Sequence, residues 1–167
     1  MSNCCSTNGM SQTSCEMPTI MIGTCPACGT RGKKVDLETV KAMLSVSLRG
    51  LDPSTQYHFC RNGKCSVVYF ADQERFTTDE VRVRVHQKHP ESQNVPVCYC
   101  FTHTPGSIRA EWLAIGMSTV VADVTAGIKA GQCACEIRNP QGACCLGNVR
   151  KVVKRIQQEV RQEELVS

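Results

Sequence analysis

The chain has 167 residues, a formal net charge of +4, 41% hydrophobic and only 5% aromatic residues, with a single tryptophan, Trp112. That length holds one domain or two small ones, and so few aromatics give a thin core of the kind that metals or disulfides reinforce. The positive residues Arg82, Arg84, Lys88, Arg150, Lys151, Lys154 and Arg155 are mixed with acids and lack an aromatic stacking platform, so they read as solvated faces rather than a nucleic acid surface.

Thirteen cysteines dominate the composition. Residues 1–13 are polar and contain no apolar h-region, so no secretory signal is expected, and no apolar run approaches the ~20 residues of a membrane span. A cytoplasmic, reducing setting is therefore expected. Cysteines there serve as metal ligands or redox groups rather than disulfide staples.

In chain order, residues 1–22 are rich in Ser, Thr, Asn and Met, show no periodicity and read as a flexible leader. The leader carries Cys4, Cys5 and Cys15, a candidate transient site for a soft ion such as Cu(I). Residues 23–89 read as a small β-rich unit with strands over 40–48, 57–60 and 65–70. Val81, Val83 and Val85 alternate with Arg82, Arg84 and His86, as in a half-buried strand. The proline-bounded polar stretch 90–96 reads as a linker. Residues 97–167 read as helical. Thr104 caps a first helix with Pro105 at its first position, and Gly116 closes it. Ser118 caps a second helix through Val120, Val121, Val124 and Ile128, ending near Gly131. A third starts near Leu146, with Val149, Val152, Val153, Ile156 and Val160 at helical spacing. The expected class is α+β: a β-rich part followed by a helical part.

The first cysteine constellation is Cys25-Pro26-Ala27-Cys28-Gly29 together with Cys60-Arg61-Asn62-Gly63-Lys64-Cys65. A two-residue gap lets both sulfurs of a tight turn meet one ion, and the Asn-Gly turn brings in a second pair. Four thiolates from two turns suit one tetrahedral Zn2+. A redox or copper-carrying CxxC remains an alternative, as does His58 or Asp72 in place of one cysteine.

The second constellation is Cys98-Tyr99-Cys100, then Cys133-Ala134-Cys135, then Cys144-Cys145. Asn139-Pro140-Gln141-Gly142 is a natural β-turn, which folds Cys144-Cys145, at a helix start, toward Cys133 and Cys135. Free N–H groups and the helix dipole there favour thiolates. A [2Fe–2S] cluster suits four such ligands, and a second zinc suits them by spacing too.

Three blocks carry a resemblance. They are Cys25-Pro26-Ala27-Cys28-Gly29 with Cys60, Cys65 and Val67-Val68-Tyr69-Phe70, then Pro96-Val97-Cys98-Tyr99-Cys100, then Asn139-Pro140-Gln141-Gly142 with Cys144-Cys145. Over residues 25–149 the chain resembles the N-terminal domain of CopZ-family copper metallochaperones. The resemblance implies a zinc subdomain joined to a Bfd-like [2Fe–2S] subdomain. It also implies Cys98, Cys100, Cys135 and Cys145 as cluster ligands, with Cys133 and Cys144 as alternates. The sequence continues into a charged helix, residues 157–167, where the family's well-known member carries a C-terminal copper-chaperone domain with its own CxxC.

The function this implies is copper or other thiophilic-metal homeostasis, with the cluster as a metal-reducing or electron-transfer centre. A small Bfd-type electron carrier serving a reductase is the alternative, and a structural module with two metals is a third. Candidate partners are a copper chaperone, a metal-transporting ATPase or a reductase. No phosphate loop, HExxH or nucleophile elbow marks an ordinary enzyme, and His58, His86, His89 and His103 are scattered. His103, just after the Cys98-Cys100 pair, is a candidate to tune the cluster by hydrogen bonding.

Overall fold

The computed structural model describes residues 23–72 and 74–166, so Cys4, Cys5 and Cys15 lie outside the described residues. β1 (Lys33–Val35), β2 (Tyr57–Phe59), β3 (Val67–Phe70) and β4 (Arg75–Thr77) form one antiparallel sheet in the order β1-β2-β3-β4. The β-branched and aromatic residues of β2 and β3 pair as His58 with Phe70 and Phe59 with Tyr69. Both strands are fully buried, which explains why the apolar run of β3 does not alternate.

Residues 40–48 are not a strand. Residues 40–43 end α1 (Leu37–Met43), residues 44–47 are irregular, and a single 3-10 turn follows at Leu48–Gly50. Asp36 stands at the N-cap position, Glu38 in the first turn and Lys41 in the last, each in the place the helix dipole favours. Val40, Met43 and Leu44 are buried at helical spacing, so the helical period outweighs the β preference of Val40.

The stretch from Val81 to Val85 does alternate, with Val81 and Val85 buried and Arg82 and Arg84 exposed. It joins no strand of the sheet. Its one bridge is Leu44 with Val81, and Arg82 clamps the end of α1 by donating from Nη2 to the Leu44 carbonyl at 2.5 Å. Strands β1 and β4 carry too many charged residues and are too short to announce themselves as strands.

The helical part follows its sequence signals closely. Thr104 and Ser107 exchange capping hydrogen bonds at the start of α2 (Pro105–Ile115), and Gly116 closes it at φ +71°. In α3 (Val120–Lys129) the N-cap is Thr119 rather than Ser118, and Glu111 accepts hydrogen bonds from both. A four-residue helix, α4 (Cys135–Arg138), precedes the Asn-Pro-Gln-Gly turn. The long α5 (Leu146–Val166) lays Val149, Val152, Ile156 and Val160 against α2 and α3. None of the described helices is long and apolar enough to cross a membrane.

The two parts are packed together. The Tyr69 hydroxyl, fully buried, donates to the Pro140 carbonyl at 2.6 Å, and the Thr39 hydroxyl on α1 donates to the Glu136 carbonyl on α4 at 2.7 Å. Gly142 closes the turn with φ +59°, and a Cβ there would meet Thr39 Oγ1 at 2.6 Å. Both the left-handed backbone and the close approach of α1 therefore require glycine. In the stretch read as a linker, Val95 is buried.

Replacing Tyr69 by Phe removes the hydroxyl and strands the buried Pro140 carbonyl. We expect Tyr69→Phe to lower unfolding free energy by about 1–3 kcal/mol. Urea unfolding followed by circular dichroism checks this, and a midpoint within error of the parent contradicts it.

Candidate metal centres

Two backbone turns build the first centre. Cys25 and Cys28 sit on a loop closed by the Thr24–Arg31 bridge, with the Gly29 N–H donating to the Cys25 carbonyl at 2.9 Å. Gly29 adopts φ +68°, which lets the chain turn back beneath the two sulfurs. Cys60 follows β2 and donates its N–H to the Val68 carbonyl, while Cys65 donates to the Asn62 carbonyl across the Asn-Gly turn. The Asn62 side chain accepts from the Lys64 N–H at 3.0 Å and fixes that turn.

The outcome is four sulfurs, of Cys25, Cys28, Cys60 and Cys65, all within 4.8 Å of one another. Cys25 and Cys60 are buried, Cys28 and Cys65 half-buried, and Val67 and Phe70 pack beside them. Neither His58 nor Asp72 belongs to the group; His58 stacks on Phe70 with ring centroids 5.5 Å apart. Burial alone would raise the Cys28 thiol, but hydrogen bonds from the Thr30 side chain and backbone, and then Cys60, carry it down to about 6. Burial pushes Cys60 up to about 12, against the pull of the Asn62 amide and of Lys88. Four soft donors, two of them buried and two half-buried, with amides aimed at the sulfurs, are the donor set of a structural Zn2+ site.

Lys88 is the residue of this centre that sequence reasoning missed. It is 8% exposed, not on a solvated face, and its Nζ donates to the Cys60 carbonyl at 2.9 Å and the Asn62 carbonyl at 2.7 Å. It therefore braces the second turn and brings a positive charge to a site that would carry net negative charge when four thiolates hold one divalent ion. The available signal was weak: a lysine in an otherwise apolar-alternating segment, with nothing local to show that it turns inward.

The second centre gathers residues from three places. Cys98 and Cys100 lie on a loop that folds back through His103, whose carbonyl accepts from the N–H groups of Val97 and Cys98. Thr102 takes φ 58° there, the single non-glycine residue with positive φ among the described residues. Cys135 opens α4, and Cys145 lies immediately before α5, where the Val149 N–H donates to its carbonyl. The Asn139 to Gly142 turn forms as expected, with the Gly142 N–H on the Asn139 carbonyl at 2.8 Å.

This convergence brings Cys100 and Cys135 to 3.8 Å, and the three sulfurs here that lie within 4.8 Å of one another are those of Cys100, Cys133 and Cys135; Cys98 and Cys145 stand beside that group and influence each other. The Cys145 hydrogen bond draws Cys98 down to about 6, whereas Cys145 is driven upward by the same bond and by burial. Burial first, and then its hydrogen bond to Cys100, push Cys135 up to about 12 against the pull of the Cys145 backbone N–H. The Ala134 N–H lies 3.4 Å from the Cys100 sulfur.

Cys133 also falls within 4.8 Å of Cys100 and Cys135 and is half-buried, while Cys144 is exposed. Cys98, Cys135 and Cys145 are buried. His103 does not hydrogen-bond a sulfur: its Nε2 meets Asp123 Oδ2 at 2.8 Å, and it acts on Cys98 by charge.

Residues 22–82, which contain all four cysteines of the first centre, match the zf_CopZ family, described as a zinc binding domain. Over 143 residues the chain is 31% identical to the copper chaperone CopZ of Archaeoglobus fulgidus, a match spanning 80% of this chain and 68% of that protein. The X-ray structure of the A. fulgidus CopZ N-terminal domain superposes with a TM-score of 0.65 at 30% identity, covering 77% of this chain and 96% of that one.

Because Lys88 supports the Cys60 turn from inside, Lys88→Met should weaken zinc retention about 10-fold or more, as loss of outer-shell partners does elsewhere. Competition with a chromogenic chelator reads this directly. Retention equal to the parent would show that the turn holds without the lysine.

Proposed function

The chain belongs to the CopZ family, and from that premise we propose that it handles copper, or another thiophilic ion, in the cytoplasm. In this proposal Cys25, Cys28, Cys60 and Cys65 hold a structural Zn2+. Cys98, Cys100, Cys135 and Cys145 hold a [2Fe–2S] cluster. What supports the second assignment is the 3.8 Å approach of Cys100 to Cys135, the place of Cys98 on the same loop as Cys100 and of Cys145 at the start of α5, and the burial of three of these four thiols; Cys133, within 4.8 Å of Cys100 and Cys135, is the alternate. The donor set fits such a cluster: four cysteines, with backbone N–H groups of Ala134, Cys145 and the loop after Cys98 directed at sulfur.

When bound, a [2Fe–2S] cluster supplies a one-electron couple, enough to convert one Cu(II) to Cu(I), the state that thiolates favour. The protein's own residues bind and shield. The amides after Cys98 stabilise thiolate there, α5 offers its positive end to Cys145, and the closed zinc site keeps its four thiols away from the cargo ion. Leader residues Cys4, Cys5 and Cys15 are the candidate acceptors for Cu(I). A reductase would return the electron, and a copper chaperone or metal-transporting ATPase would take the ion onward.

A second reading, a Bfd-type electron carrier, draws on the exposed cations Arg150, Lys151 and Lys154 along α5 as a docking face for a reductase. Reduction by a flavoprotein reductase with no dependence on copper would favour it.

The deciding experiment is anaerobic purification with a visible spectrum and assays of iron, sulfide and zinc. We expect a red-brown protein containing iron, acid-labile sulfide and zinc. Cys135→Ser and Cys145→Ser should lose the colour while Cys133→Ser and Cys144→Ser keep it. A colourless protein without sulfide after cluster reconstitution would overturn the redox role. Colour lost only in the Cys133 and Cys144 variants would reassign the ligands.

A further inference from the structure

Beside the junction of the two parts lies a cleft of about 290 Å³ that neither cysteine centre uses. Arg61, His86 and Gln87 line it from the β-rich part, and Asn148, Lys151 and Arg155 from α5. No acidic side chain lines it among the described residues. Three permanent cations share one recess, and burial, then the Arg155 charge, hold His86 below its ordinary pKa, in keeping with a positive local field.

Three buried side-chain atoms have no hydrogen-bond partner among the described residues: His86 Nδ1, Gln87 Oε1 and Arg155 Nε. All three belong to residues of this one cleft. His86 is 8% exposed, so its ring is committed to the interior. Arg155 is partly engaged: Nη1 donates to the Pro90 carbonyl at 3.1 Å, and Nε forms an ion pair with Glu159 at 3.6 Å, beyond hydrogen-bond distance, so an incoming anion competes with that carboxylate. Buried polar atoms without partners are uncommon, and three of them on residues of one cleft leave bonding capacity there for a polar ligand or ordered water.

We propose that this cleft binds a small, multiply charged oxyanion of the phosphate or polycarboxylate kind, which clasps the β-rich part to α5. An oxyanion accepts from Arg155 Nε, from His86 as its Nδ1–H tautomer, from the Asn148 amide and from Lys151. Turning the Gln87 amide over offers a further N–H. The planar guanidinium of Arg155 and the ammonium of Lys151 are the groups that recognise such ions elsewhere. Because the ligands come from both parts, occupancy stabilises their packed arrangement by mass action.

The test uses the full metal-loaded chain at low ionic strength in a zwitterionic buffer, titrated calorimetrically with inorganic phosphate and, separately, with citrate. We expect saturable binding of one anion per chain, a matching rise in melting temperature, and a shift of the His86 imidazole resonance on binding. Arg61→Gln and Lys151→Gln alter exposed residues and leave the core untouched, and each should weaken binding by about fivefold or more. Lys154→Gln, an exposed cation outside the cleft, should change it by less than about twofold. Tighter binding of phosphate or of citrate identifies which kind of oxyanion the cleft takes. No saturable binding of either, or equal losses in the Lys151 and Lys154 variants, overturns the proposal.

Discussion

Four thiol sulfurs within 4.8 Å of one another cannot all carry charge unless a cation sits among them, because like charges at that spacing keep each other protonated. The first centre already leans toward ionisation on one side, with Cys28 drawn down to about 6 while Cys60 is pushed up to about 12. A divalent ion removes that conflict and crosslinks two turns that are otherwise joined only through a sheet of three- and four-residue strands. Such a sheet is marginal alone. Binding free energies of about 10–16 kcal/mol, typical of structural zinc in small peptides, exceed the net stability of most domains of this size. The fold of the β-rich part therefore rests on the convergence of Cys25, Cys28, Cys60 and Cys65, with Lys88 securing the turn between the last two.

The second centre depends on the first part for its shape. Tyr99 stands between Cys98 and Cys100, and its buried hydroxyl donates to the Arg84 carbonyl at 2.8 Å while accepting from the His86 N–H at 2.9 Å. The loop that carries two of the thiols is thus pinned to the segment leading to Lys88. On the opposite flank, the Asn139 to Gly142 turn, which sets Cys145 relative to Cys135, is held by Tyr69 from β3 and seated on Thr39 of α1. Asn139 is itself buried and satisfied, donating to the Ala143 carbonyl and accepting from the Gln141 N–H.

Much of this was legible in the sequence because the signals were local. The Thr104-Pro105 cap, the Gly116 stop, the valine and isoleucine stripe of α5 and the Asn-Pro-Gln-Gly turn each act within a few residues, and each forms as read. The paired cysteine spacings likewise put four sulfurs of the first centre together. What was not legible is non-local. Whether residues 40–48 form a strand or a helix turns on what covers them, and the contacts of α1 with α4 arise from residues nearly a hundred positions away. Lys88 and His86 look like ordinary polar surface until the Cys60 turn and Tyr99 fold over them. Cys133 and Cys135 have equal claims by spacing, and the fold brings both within 4.8 Å of Cys100; they differ in burial, Cys135 being buried and Cys133 half-buried.

The hydrogen bonds between the two parts run both ways: Tyr69 and Thr39 donate to the Pro140 and Glu136 carbonyls, while Tyr99 donates to the Arg84 carbonyl and accepts from the His86 N–H. Tyr99, the turn and α4 thus meet the first part at the Arg84 carbonyl, the His86 N–H, the Tyr69 hydroxyl and the Thr39 hydroxyl. All of those partners belong to the sheet, to α1 or to the segment after β4, elements tied together around the first thiol group. The first part has its own buried cluster of Val35, Val40, Leu44, Tyr57, Phe59, Val68 and their neighbours, to which no residue of the helical part contributes. A redox-inert ion in the first part thus leaves a rigid platform, and the second part, whose thiols come from three separate loops, borrows that rigidity to hold them in register.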